Sequence, residues 1–100
     1  MSSEPTIQFT GNISITDAIR DFTYKKFSHL KQHNKNISDV HLIFEVNNQR
    51  HKATAKVNLA HKGTINASEE TDDLYASIEA VVHNLKQQLS KIHDKETEHR

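Results

Sequence analysis

Residues 16–35 read TDAIRDFTYKKFSHLKQHNK, and the fold follows from what this stretch demands. At about 100° per residue, Ile19, Phe22, Phe27 and Leu30 fall within one arc, the spacing of an amphipathic helix. Thr16 stands where a helix is capped, and Asp17 where its macrodipole favours negative charge. Off the apolar arc lie Arg20, Lys25, Lys26 and Lys31, with His29 and His33 among them. One side of this helix needs a core, and the other is suited to meet an anion. The helix holds several of the chain's few bulky apolar residues, so it must dock on a surface that the remaining sequence supplies.

That surface reads as a sheet. Residues 6–10 (TIQFT) alternate, with Ile7 and Phe9 to one face. Gly11-Asn12 loosens the backbone before Ile13 and Ile15 lead into the helix. Val40, Leu42, Phe44 and Val46 form the cleanest period-two run, followed by a turn signal at Asn47-Asn48-Gln49. Ala53, Ala55, Val57 and Leu59 alternate next, their small inward residues leaving room for a helix. After a second turn at His61-Lys62-Gly63, Ile65 and Ala67 mark a short last strand. The acids of Glu69-Glu70-Thr71-Asp72-Asp73 then suit the positive end of a final helix. Leu74, Ile78, Val81, Val82, Leu85, Leu89 and Ile92 hold helical spacing in it.

The expected order is β-α-β-β-β-α: an α+β two-layer sandwich with a four-stranded mixed sheet and both helices on one face. The other face, carrying His41, Glu45, Lys56 and Asn58, is left to water. A single domain over residues 1–93 is expected, with 94–100 as a flexible C-terminal tail.

Composition narrows the function. An apolar fraction of 34% and six aromatics among one hundred residues suit one modest core. Cysteine is absent, which removes disulfides and thiol nucleophiles and fits a reducing compartment. No apolar run reaches the roughly 18 residues that span a bilayer, and MSSEPT is no signal peptide, so a cytoplasmic protein is expected. Net charge is zero but uneven. Residues 20–62 hold nine Lys/Arg against three acids and five of the eight His, while residues 68–100 hold four against eight. Such asymmetry points to contact with a polyanion.

No motif for catalysis or for a cofactor is present. With only two glycines there is no phosphate-cradling loop, and no nucleophile elbow or zinc-protease motif occurs. His29 and His33, four apart, lack the further ligands a zinc site requires. The acidic run at 69–73 likewise has nothing nearby to complete a cation site. No metal, no cofactor and no enzyme activity are expected. What remains is a small binding module with a basic helix, in which Tyr24 between Arg20 and Lys31 is either a core-edge residue or a base-stacking one.

Several blocks in register resemble the ribosome hibernation-promoting factor family, short type. They are Phe9-Thr10-Gly11-Asn12, Ile15 through Phe22 (ITDAIRDF), Lys26 through Leu30 (KFSHL), Ile65 through Ser68 (INAS), Asp73 through Glu79 (DLYASIE) and Leu85 through Leu89 (LKQQL). The resemblance implies the same β-α-β-β-β-α fold, related in layout to double-stranded-RNA-binding domains. It also implies binding to the small ribosomal subunit at the decoding region, across the A and P sites and the messenger path. Translation would thereby be silenced under stress or in stationary phase, with ribosome dimers as a further outcome and ribosome modulation factor as a further partner. Off the ribosome a monomer is expected.

Carried over by position, the contacts to ribosomal RNA would come from Arg20 and Lys26 on the first helix and from Lys91 and Lys95 on the last. His29 stands where a lysine is common in the family. Asn84 and Gln87, on one stripe with Lys91 and Lys95, are only polar where relatives are often basic. Lys86 adds a cation toward the apolar flank, where it is expected to snorkel rather than replace them, while Lys25 and Lys31 add charge to the first helix. This difference shifts the expected weight of binding to the first helix and the Arg50–Lys62 hairpin. Two other readings share the basic surface, a module for other structured RNA and a protein-interaction domain indifferent to RNA. Competition by transfer RNA tests the first, and salt dependence the second.

Overall fold

The computed structural model describes residues 6–33, 37–60 and 63–98, with helix side chains described through Gln32 and Lys91. The elements are β1 (Thr6–Gly11), α1 (Asp17–His33), β2 (Ile37–Asn47), β3 (Arg50–Leu59), β4 (Gly63–Thr71) and α2 (Leu74–Glu98). The sheet order is β1-β2-β3-β4, with β1 parallel to β2 and the two later pairs antiparallel. This is the expected mixed sheet in the expected order. Helix α2 runs on through residues 94–98, the first part of the expected tail, while residues 99–100 and the expected turn residues His61 and Lys62 lie outside the described residues.

Alternation places the core. Val40, Leu42 and Phe44 of β2 and Ala53, Ala55, Val57 and Leu59 of β3 are all buried, and each faces the helices. Phe27 and Leu30 of α1 and Ile78, Val81, Leu85 and Leu89 of α2 join the same cluster. The opposite sheet face is polar and bonded across strands. Asn58 donates to Asp39 at 2.8 Å, Thr64 donates to Asn58 at 2.8 Å, and Thr54 meets Ser68 at 3.1 Å. The two-residue turn between β2 and β3 holds Asn48 at φ 57°, a conformation asparagine tolerates better than most residues.

Thr16 caps α1 as expected: its Oγ1 accepts from Ile19 N at 3.1 Å, and its carbonyl from Arg20 N at 2.9 Å. Thr16→Ala therefore leaves an amide of the first turn without its partner. The expected cost is about 1 kcal/mol, read as a lower urea midpoint at unchanged m-value.

The start of α2 differs from expectation. Glu69 and Glu70 belong to β4, not to the helix entry. Their carboxylates bond sideways, Glu69 to Asn84 at 2.9 Å and Glu70 to Arg50 at 3.0 Å. The cap is Asp73, whose Oδ2 accepts from Ala76 N at 3.1 Å. Thr71 Oγ1 accepts from Asp73 N at 3.0 Å and turns the chain out of the strand. The buried Ser77 hydroxyl ties the helix to β3 by donating to the His51 carbonyl at 2.6 Å.

Candidate functional site

Three contacts show how the helices lie. The Phe22 and Tyr75 rings meet edge to face, with centroids 4.9 Å apart at 81°. One turn on, Lys26 Nζ is 3.1 Å from Glu79 Oε2. A turn further, Leu30 and His29 share a lining with Val82, His83 and Lys86. Partners advance together along both helices, so α1 and α2 run in the same direction with a groove between them. Its volume is about 900 Å³.

Helical spacing explains the lining. On α1, Phe22, Lys25, Lys26 and His29 recur at three and four residues, the spacing of one face. On α2, Glu79, Val82, His83 and Lys86 do the same. Phe22, Leu30 and Val82 supply an apolar floor, while Lys25, His29, His83 and Lys86 stand exposed at the rim. Glu79 is the single acid in the lining, and Lys26 is its partner. That pair is exposed by 37% and 57% on its two side chains, so it is worth at most about 1 kcal/mol. It still cancels the charge of Lys26. Among the described residues, Lys25 and Lys86 pair with no acid and dominate the groove's potential.

The expected RNA-binding residues therefore separate into groups. Lys25, Lys26, His29 and Lys86 come together in the groove. Arg20 does not: its guanidinium lies 5.1 Å over the Phe9 ring, on the β1 side of α1. Lys31 serves a structural bond, donating from Nζ to the Ile37 carbonyl at 2.6 Å and closing α1 onto the start of β2. Lys91 is exposed on α2 outside the groove, and the Lys95 side chain lies outside the described residues. Tyr24 packs edge-on against Phe9 at 6.0 Å at the edge of the core, and it also lines the groove.

The stripe of Asn84, Gln87 and Lys91 faces the other way. Asn84 is half-buried, donating to Glu69 and accepting from Gln88 Nε2 at 2.8 Å. Gln88 also donates to the Asn66 carbonyl at 2.7 Å. This flank of α2 overhangs β4, so polar rather than basic character at Asn84 serves the sheet edge. The Arg50–Lys62 hairpin is also a weaker candidate than its charge suggests. Arg50 is held by Glu70, and Lys52 and Lys56 project from the sheet face opposite the helices. Lys62 lies outside the described residues.

Two residues at the site were missed by sequence reasoning: His83, in the groove lining, and Tyr75, beside it against Phe22. The signal for His83 is the spacing Glu79-His83-Lys86, a second polar stripe on the opposite flank of the same apolar arc. Tyr75 is the exposed large hydrophobic residue of the described chain, at 37%. Among the described residues no three His, Asp or Glu side chains gather in a way that could hold a metal ion.

Comparison with known proteins agrees with this architecture. The family described as Sigma 54 modulation protein / S30EA ribosomal protein matches residues 7–97. The ribosome hibernation promoting factor of Escherichia coli is 35% identical over 94 residues, covering 93% of this chain and 98% of that protein. That of Klebsiella oxytoca is 37% identical with the same coverage. Among solved structures, a ribosomal subunit interface protein from Coxiella burnetii superposes with a TM-score of 0.82 at 37% identity, covering 89% of this chain and 98% of that one. The N-terminal domain of Thermus thermophilus Protein Y gives 0.78 at 28% identity, with 88% and 98% covered. By the match over nearly its whole length and by its fold, the chain belongs to the Sigma 54 modulation protein / S30EA ribosomal protein family, that of the ribosome hibernation promoting factors.

Proposed function

We propose that this chain silences translation by seating the groove between α1 and α2 on ribosomal RNA of the small subunit, at the decoding region. There it would overlap the messenger path and the A and P sites, under stress or in stationary phase. A ribosome-associated hibernation role is supported by the relatives, which carry the name ribosome hibernation promoting factor. The family consists of ribosome hibernation factors, which are not enzymes, and this chain is not an enzyme. Its place of action would be the cytoplasm, where ribosomes are.

The observation that carries the finer reading is the lining of the groove. Lys25 of α1 and Lys86 of α2 line the same groove with His29 and His83, and the one acid in that lining is already paired. Phosphates are the ligand that such a rim fits best. Neutralising them releases condensed counterions, which makes binding both strong and steeply dependent on salt.

Co-sedimentation with purified small and large subunits tests this. Binding to the small subunit is expected, weakening steeply between 50 and 200 mM salt, and reduced by bound transfer RNA and messenger. Cell-free protein synthesis should stop at a molar excess of the protein over ribosomes. Full synthesis under that excess, or small-subunit binding indifferent to transfer RNA, would overturn the assignment to the decoding region. The same gradients report pairing: a ribosome-dimer peak that needs added ribosome modulation factor would identify that partner.

A further inference from the structure

We propose that the groove between α1 and α2 takes an unpaired nucleotide, with its base on Tyr75 and Phe22 and the phosphates that follow at Lys25, His83 and Lys86. This deepens the ribosomal RNA reading and rests on it. The groove has two chemistries in series. At its start, Phe22 of the lining meets the ring of the exposed Tyr75, which flanks the groove, nearly at a right angle, forming a corner of two aryl surfaces. Lys26 Nζ, already paired with Glu79, lies 5.4 Å over the Phe22 ring, which leaves the exposed Tyr75 as the main stacking surface. Further along come the exposed Lys25, His83 and Lys86 above an apolar floor. From Tyr75 to Lys86 the helix advances about 16 Å, the scale of a short single-stranded segment rather than of one ion.

The combination selects the occupant. A continuous duplex presents phosphates to the rim and has no use for the aromatic corner, which would remain wet. A purely apolar peptide would cover Tyr75 and Phe22 but strand Lys25 and Lys86 without counter-charge, which costs desolvation. An unpaired nucleotide carries a planar apolar face and an anionic linkage in one residue. Base-on-aromatic stacking is sequence-tolerant, because every base has a π-face.

The test uses the full chain and three labelled RNA hairpins read by fluorescence anisotropy. One has a fully paired stem, one a single unpaired adenosine in that stem, and one an abasic nucleotide at the same place. The unpaired adenosine is expected to tighten binding about 10-fold over both other hairpins. Tyr75→Phe should keep this preference. Tyr75→Ala should lose it while retaining the paired-stem affinity and its salt dependence. Tyr75→Leu keeps an apolar contact with Phe22 and serves where Tyr75→Ala does not fold.

Equal binding of the three hairpins by the unsubstituted chain would overturn the proposal, as would an undiminished preference in Tyr75→Leu. Displacement of the adenosine-bulged hairpin by an acidic, aromatic-containing peptide at equal concentration would assign the groove to a protein and overturn it too. Small-subunit co-sedimentation separates the two levels. If it persists while the hairpins bind alike, only the nucleotide site falls; if it is absent, the ribosomal reading falls with it.

Discussion

Reversing Lys25 and Lys86 together to glutamate is expected to weaken small-subunit binding by at least about 100-fold at 0.1 M salt. Each phosphate contact contributes roughly 0.9 of a decade per decade of salt dilution, so losing two removes nearly two decades at that concentration. Repulsion from the new carboxylates adds to this. The slope of log affinity against log salt should flatten by about 2. Neither lysine is buried or ion-paired among the described residues, so the fold should be unaffected.

The control is Lys52→Glu with Lys56→Glu, which changes net charge equally but on the sheet face opposite the helices. It should cost only the weak long-range term, less than about 10-fold, because exposed charges beyond a Debye length of about 10 Å are screened. Equal losses in the two double variants would mean that binding follows overall charge and not the groove. Lys26→Gln is informative beside them. It removes a cation that Glu79 already neutralises and leaves Glu79 unpaired in the groove. Its effect on affinity should therefore come from the exposed Glu79 carboxylate.

The sheet and the two apolar arcs were legible because both depend on local period. Val40, Leu42 and Phe44 alternate strictly, and each lies on the buried face. Thr16 was legible as a cap because its partner, Ile19, is three residues away. The site was legible only in part. Lys26 and Glu79 are separated by more than half the chain, and nothing local announces that one cancels the other. The side of α2 that meets α1 is likewise set by the strand order. Two polar stripes flank its apolar arc, and only β4, by receiving Asn84 and Gln88, settles which one is left for the groove. Glu69 and Glu70 misled for a related reason. Acids before an apolar-periodic run read as a helix entry, yet their cross-strand partners Ala53 and Lys52 keep them in β4.

Gly11→Ala is expected to be the most destabilising small change in the described chain. Gly11 closes β1 at φ +142°, a conformation that L side chains rarely adopt. A Cβ there would overlap the carbonyl oxygen of Phe44 and come within 2.9 Å of its carbonyl carbon and amide nitrogen. Phe44 is fully buried and paired on both sides, so β2 has no room to retreat. The same carbonyl accepts from Asn12 N at 3.1 Å. Asn12 then extends the pairing with its side chain, accepting from Val46 N at 2.9 Å and donating to the Val46 carbonyl at 3.2 Å.

Backbone strain of about 1–3 kcal/mol adds to about 1–3 kcal/mol for the forced displacement of packed backbone. A total near 4 kcal/mol lowers the melting temperature of a domain of this size by about 20 °C. Gly63→Ala provides the comparison. Gly63 also has positive φ, at +88°, but a Cβ there meets nothing within 4 Å. Its loss should be confined to the conformational term of about 1–2 kcal/mol. Equal melting temperatures for the two variants would show that close approach to Phe44 is not what fixes this end of β1. The consequence reaches the site, because Arg20 of α1 rests on Phe9 of β1 and α1 begins just beyond Asn12. At temperatures where Gly11→Ala is still folded, a displaced β1 end should tilt α1 against α2. Small-subunit affinity should then fall even though no cation has been removed.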